Sequence, residues 1–274
     1  MIELVSYGNQ LCSGKYKIHS KFTSAVNFIF GDTFVFVVSE SVGPGPLNIV
    51  IKGIVPMSVN SLEIEDGFLY LNDTKLEIDS RKLYDPLLYL HEFDHNNFIR
   101  NLGFLENSVK KLSPPQSLVF VLDPGRRSEF TSSFEYEYVK RIDLGVQEIL
   151  FGNILIGVGS IKGLGPGLTP AGDDFNSGIL IALNLVEKIC RCDMQKSIKL
   201  VWQEAVGSNL FTNAFLLCAS QGLLFNKFRE LLNAVLYSDE NIIIKNTESV
   251  LSIGETSGAD QLVGFLIGMK RFLL

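Results

Sequence analysis

The hydrophobic pattern of this 274-residue chain changes its period once, near Pro86, and that change limits what the chain can fold into. From about Tyr16 to Ile78, β-branched and aromatic residues recur with a period of two, the signature of strands with one face buried. Phe28-Ile29-Phe30, Phe34 to Val38, Leu47 to Ile51, Leu62-Glu63-Ile64 and Phe68 to Leu71 are the strand candidates. Gly31-Asp32, Gly43-Pro44-Gly45-Pro46, Glu65-Asp66-Gly67 and Asn72-Asp73 separate them with residues that favour turns. So many short strands at such close spacing predict a small antiparallel barrel or sandwich.

Beyond Pro86 the apolar spacing is helical, starting with Leu87 to Leu90 and continuing through Phe98, Leu102 and Leu105. Pro114-Pro115 opens a helix or short strand through Leu122, and Asp123-Pro124-Gly125 breaks it. Glu129 to Phe151, Pro170 to about Cys190, Lys196 to about Gly222 with an interruption at Gly207, Asn226 to Tyr237 and Asp260 to Leu274 read as further helices. The expected fold class is therefore α+β, with a β-rich barrel or sandwich domain over residues 1–85 and a mainly helical domain over residues 86–274.

The formal net charge is −6 and Lys and Arg form no stripe, which argues against a nucleic-acid partner. No apolar stretch approaches the roughly 20 residues that span a bilayer, so no membrane association is expected. Met1-Ile2-Glu3-Leu4 carries no basic region followed by an apolar run, which points to the cytoplasm. Cys12, Cys190, Cys192 and Cys218 lack the spacing of a zinc ribbon or a Cys-x-x-Cys redox pair and are expected as reduced thiols.

The stretch Gly163-Leu164-Gly165-Pro166-Gly167-Leu168-Thr169-Pro170-Ala171-Gly172-Asp173-Asp174 runs directly into an apolar helix. Thr169 suits an N-cap, Pro170 the first helical position, and the acidic pair the first turn. Three alternating glycines ahead of the cap exceed what capping needs and permit positive φ or close approach of a ligand to the backbone. The stretch lacks the Lys-Ser/Thr ending of a nucleotide loop and the register of a dinucleotide fold. A tight loop packed on a neighbouring element is the alternative reading. Gly254-Glu255-Thr256-Ser257-Gly258-Ala259-Asp260 repeats the offsets of the first loop, with Gly167, Thr169 and Asp173 matching Gly254, Thr256 and Asp260. This echo suggests that two helix starts serve one site, while Gly264 and Gly268 are expected to permit close helix packing.

These motifs resemble the AllH-like family, linked to oxamate carbamoyltransferase. The similarity rests on Gly165 to Asp174 with Phe175, on Thr256-Ser257-Gly258 with Asp260, and on the helix containing Thr212, Leu216, Leu217, Ala219 and Gly222. Ala25-Val26-Asn27 and Gly43 to Ile51 carry a weaker likeness, and Glu255 and Ala259 depart from the family's second motif, where His and an aromatic are usual. The resemblance implies a bacterial carbamoyltransferase subunit of purine and allantoin breakdown, acting with FdrA-like and AllG-like partner proteins. The implied reaction is phosphorolysis of oxalurate to oxamate and carbamoyl phosphate.

That chemistry joins two anions and develops negative charge on a ureido oxygen. Donors at Gly165, Gly167, Thr169 and Gly172 are expected to hold one anion, and those at Thr256, Ser257 and Gly258 the other, with phosphate, carbamoyl phosphate and oxamate as ligands. Asp173, Asp174 and Asp260 are the expected catalytic residues, as acceptors for the substrate amide or as a base. No cofactor is required, although the same carboxylates suit a bridging Mg²⁺. Lys162, Arg126 and Arg127 are the cations nearest by motif. One alternative is a non-catalytic anion-binding or scaffold subunit. Another is a zinc peptidase using His91-Glu92-Phe93-Asp94-His95, where two imidazoles one helical turn apart would hold the metal.

Overall fold

A computed structural model describes residues 2–52, 59–65 and 67–274; Asp66, in one of the expected turns, lies outside the described residues. The chain divides into two compact units, one of residues 1–87 with 223–229 and one of residues 88–222 with 230–274.

The first unit is a single curled sheet, nearly closed like a barrel, formed among the described residues by β1 (Leu4–Tyr7), β2 (Gly14–Lys21), β3 (Ala25–Phe30), β4 (Thr33–Ser39), β5 (Asn48–Ile51), β6 (Leu62–Glu65), β7 (Phe68–Leu71) and β8 (Thr74–Glu77). Their order is β1-β5-β4-β3-β2-β6-β7-β8. Alternation drives the fold: Val26, Phe28, Val35, Val37, Ile49, Ile51, Leu62, Ile64, Leu69 and Leu71 point into one core. Strand β2 turns the corner, since Gly14 to Tyr16 pair with β6 and Lys17 to Lys21 pair with β3 across a register shift between Ile18 and Ser20. One pair departs from the antiparallel expectation, because β4 and β5 run parallel. The Gly43-Pro44-Gly45-Pro46 run makes this reversal, helped by a positive φ at Gly43 and by Asn48 Nδ2 donating to Gly43 O at 2.8 Å. Residues 223–229 join this unit through Asn226 N–H to Pro44 O and the Tyr84 hydroxyl to Leu224 O, both 3.0 Å.

The second unit contains α1 (His95–Leu112), α2 (Ser133–Phe151), α3 (Ile154–Ile161), α4 (Ala171–Cys190), α5 (Gln195–Ala205), α6 (Leu210–Ser220), most of α7 (Asn226–Tyr237), α8 (Glu240–Leu251) and α9 (Ser257–Phe272). Helix α2 starts later than expected because Ser132 and Glu135 form a capping box, while Pro124–Glu129 coils separately into a 3-10 turn. The segment after Pro114-Pro115 is likewise a 3-10 turn, Leu118–Val121.

The expected helical start at Leu87 to Leu90 is overturned. Burial alternates there, with Tyr84, Pro86 and Leu88 buried and Asp85, Leu87 and Tyr89 exposed, so the chain is extended until Asp94 caps α1 by accepting the Asn97 N–H at 2.9 Å. This also removes the zinc reading. His91 lies in the extended segment and His95 is the first residue of α1, so the two imidazoles do not share a helix face. Among the described residues, no group of three or more His, Cys, Asp or Glu is placed to hold a metal ion. Nor is any helix among them long and apolar enough to cross a membrane.

Helix α4 is the axis of this unit, apolar on every side from Phe175 to Val186 apart from Asn176, Ser177 and Asn184, and thus enclosed by its neighbours. Its main neighbour is α9. The two cross where neither carries a side chain: a Cβ on Gly178 would lie 2.1 Å from Gln261 O, and one on Gly264 would lie 2.0 Å from Phe175 O. Gly268 faces Ala182 in the same contact, as the expected packing role for Gly264 and Gly268 requires.

Candidate functional site

The crossing brings the starts of α4 and α9 together with related geometry. Pro170 and Thr256 are the N-cap residues, 86 positions apart (256 minus 170). The same offset relates Gly172 to Gly258, Asp174 to Asp260 and Gly178 to Gly264. Gly172 and Gly258 do the same job, since a Cβ on either would meet a carbonyl at 2.0 Å, Ile161 O for one and Val250 O for the other. Each helix start is thereby pressed against the end of an earlier helix. The echo read from the sequence is thus out by one residue: Asp174, and not Asp173, is the counterpart of Asp260.

Capping also differs from expectation. Pro170 takes the N-cap position and Ala171 the first helical position, and the α4 cap has no side-chain bond. The Thr169 hydroxyl instead meets the Ser257 hydroxyl at 2.9 Å, tying the loop before α4 to the first residue of α9. Thr256 occupies the α9 cap position, also without a side-chain cap bond.

The glycine loop is held from three directions. Gly163, Gly165 and Gly167 have φ of 70°, 112° and 96°, a backbone that other residues enter only with strain. Gly163 N–H donates to Asp173 Oδ1 at 2.7 Å, Gly172 N–H to Leu164 O at 2.8 Å, and Asn209 Nδ2 to Leu168 O at 2.9 Å. Asn209 also caps α6, accepting the N–H of Phe211. Asp173 Oδ2 accepts the Thr212 hydroxyl at 3.1 Å, so both oxygens of Asp173 serve the scaffold. Burial raises its pKa, opposed by the Gly163 and Thr212 donors and by Lys162.

Asp174 and Asp260 are placed differently. Asp260 is fully buried, its Oδ1 accepts the Leu118 N–H at 2.6 Å, and its Oδ2 has no hydrogen-bond partner among the described residues. Burial pushes its carboxyl up to about 7, against the pull of the Leu118 N–H and the Thr256 hydroxyl. Asp174 is partly buried as a residue, yet its Oδ2 is sealed from solvent and also unpartnered among the described residues. Burial holds Asp174 well above the usual carboxylate range, helped by the charges of Asp260 and Asp173 and opposed by the hydroxyls of Ser257 and Thr169. Asp174 thus feels the charge of Asp260, and each of the two carboxyls has one buried oxygen left over. The Tyr138 phenol on α2 also feels Asp260, which adds to the effect of burial in raising its pKa.

The cations named from the sequence are engaged elsewhere. Lys162 Nζ donates to Glu204 O and Val206 O at the end of α5, Arg126 pairs with Glu129 and reaches the carbonyls of Ser113 and Pro114, and Arg127 pairs with Asp143. The Gly258 N–H is also engaged, donating to Ile253 O at 3.0 Å. Three contributors were not read from the sequence: Asn209, the Leu118 N–H and Tyr138. Asn209 had a signal, an Asn just ahead of an apolar run. The other two are brought in only by tertiary packing.

No curated protein and no solved structure matches the chain. Residues 161–269 match the family model described as oxamate carbamoyltransferase subunit AllH. That segment opens at the end of α3, takes in the glycine loop, and includes all but the end of α9. Residues 161–269, which hold both helix starts and all ten residues expected at the site, are thus the part of the chain that is similar to the AllH family.

Proposed function

We propose that the chain is a subunit of an oxamate carbamoyltransferase and that the paired starts of α4 and α9 form its substrate site. The observation that carries this reading is the meeting of the two helix starts, bridged by Thr169 and Ser257 inside the family segment. Both helices direct the positive ends of their dipoles toward the same place, where anionic groups are favoured. Two donor sets follow: the loop N–H groups of Gly165, Gly167 and Thr169 on one side, and the start of α9 at Thr256 and Ser257 on the other. Since Gly172 and Gly258 have their N–H groups tied up internally, their part is to let each start pack closely against the helix before it, α3 for α4 and α8 for α9.

The reaction is phosphorolysis of oxalurate. A phosphate oxygen attacks the ureido carbonyl carbon, the bond from that carbon to the oxamate nitrogen breaks, and the nitrogen takes up a proton as carbamoyl phosphate forms. Asp260, raised to about 7 by burial, holds a proton near neutral pH and delivers it to the departing nitrogen; in the reverse direction it removes that proton. FdrA-like and AllG-like subunits complete the enzyme. The test is to assemble the chain with those subunits and follow carbamoyl phosphate released from oxalurate and phosphate. Asp260→Asn is expected to lower turnover by about 100-fold, the scale of a lost proton-transfer group. No carbamoyl phosphate from the wild-type assembly sinks the reading.

A further inference from the structure

We propose that the exposed face of α2 is a docking surface for a second copy of this chain, the two helices pairing antiparallel about a two-fold axis at the level of Val139. Helix α2 precedes the family-matched segment, so the pairing stands or falls apart from the reading of the site.

Phe134 and Phe151, one near each end of α2, are 83% and 81% exposed, more than any other large apolar residue described. Leu144, 52% exposed, lies between them. The helix already has an inward face, formed by Val139, Ile142, Val146 and Ile149. The exposed residues are therefore a second apolar surface that the described chain does not cover. A helix face left to solvent carries polar groups, and large apolar residues gathered on one mark a place where something docks.

The occupant follows from the order of residues along that face. Phe134, Glu137, Arg141 and Leu144 are all exposed and follow one another at intervals of three, four and three, which keeps them in one line along the helix. The line reads apolar, acid, base, apolar, and is its own complement when reversed. Phe134 and Leu144 are equally far from Val139 in sequence, and so are Glu137 and Arg141. Antiparallel pairing centred there sets Phe134 against Leu144 of the second copy and Glu137 against its Arg141, and the two-fold axis repeats both contacts. One patch is thus used twice, as in other isologous dimers. Parallel pairing would set Glu137 on Glu137 and Arg141 on Arg141, so charge selects the antiparallel arrangement. Neither charge is strongly engaged within the chain. Arg141 has no hydrogen bond or ion pair among the described residues, and Glu137 meets Lys140 Nζ at 3.9 Å with both side chains well exposed. A pair so long and so wet contributes little.

Analytical ultracentrifugation of the full chain at tens of micromolar is expected to find a dimer. Glu137→Arg and Arg141→Glu should each weaken self-association about 10-fold or more, because each reversal sets like charges opposite one another at two places. Mixing the two variants should bring association back to within about 3-fold of wild type, since one copy then offers Arg at both positions and the other Glu at both. Phe134→Ser should weaken the dimer as well. All these positions are exposed, so the variants should keep the fold, and the wild-type measurement needs no variant at all. A wild-type chain that stays monomeric overturns the proposal and leaves the face to a different protein. A dimer indifferent to both reversals, or a mixture that does not recover, overturns it too.

Discussion

A single methyl group placed at the crossing of α4 and α9 should damage both stability and site. In Gly264→Ala the new Cβ would lie 2.0 Å from Phe175 O, 2.7 Å from Phe175 C and 2.9 Å from Phe175 Cα. Ordinary contact needs about 3.5 Å, so the helices must part by roughly 1.5 Å. The obstacle is backbone, which has no rotamer to escape into, so the cost should approach the upper end of the roughly 1–3 kcal/mol typical of overpacking. Alanine regains about 1 kcal/mol of helix propensity, leaving a net loss of about 2 kcal/mol. For a unit of this size that means a Tm lower by about 4–8 °C. Gly103 in α1 is the control, since nothing lies within 4 Å of a Cβ placed there. The same substitution at Gly103 should raise stability by up to about 1 kcal/mol. Urea denaturation at unchanged m measures both, and oxamate titration reads the site, where parting the helices breaks the 2.9 Å contact between the Thr169 and Ser257 hydroxyls. If Gly264→Ala matches the wild type in midpoint, or if both variants shift in the same direction, the account of this crossing is wrong.

Asp260 sets a pH dependence of known sign. Its folded pKa of about 7 exceeds the ordinary carboxylate value of 3.8, so between those values the folded chain binds more protons than the unfolded one and stability falls as pH rises, by about 1.4 kcal/mol per unit at most. Asp260→Asn should flatten that slope in urea titrations between pH 4 and 7, and an unchanged slope would falsify the assignment. Asp173→Ala strands the Gly163 N–H and the Thr212 hydroxyl at a cost of about 1–3 kcal/mol, and should expose the glycine loop to limited proteolysis; an equally resistant loop counts against the anchoring role. Metal analysis after dialysis should find far less than one zinc per chain, and His95→Ala should leave turnover of the assembled enzyme unchanged; stoichiometric zinc would revive the peptidase reading.

Much of this was legible in the residues because local physics determined it. Period-two alternation marked β3, β4, β5, β6 and β7, and glycines at 163, 165 and 167 announced a loop with positive φ. The misses share a cause. Leu87 to Leu90 carries apolar residues that suit a helix, and only the alternating burial of Pro86 and Leu88 shows that the strand-like path continues. Strands β1, β2 and β8 and helices α3 and α8 were not anticipated, and the return of residues 223–229 to the first unit has no local mark at all. At the site, sequence spacing matched Asp173 with Asp260, and the true register emerged only from where two caps and two glycine contacts fell. Leu118 is an unremarkable apolar residue until folding presents its N–H to a carboxylate.

The 86 residues between the two helix starts also decide when the site can exist. During synthesis α4 emerges long before α9, and until then the face destined for Gly264 and Gly268 is uncovered on a helix apolar almost all round. Closing so long a loop costs chain entropy that local contacts cannot offset, so α4 and the four helices that follow it must wait as a loosely assembled set with an adhesive surface. A nascent chain stalled before residue 257 should therefore bind holdase chaperones strongly, and release of α9 should end that dependence and create the substrate site in one event.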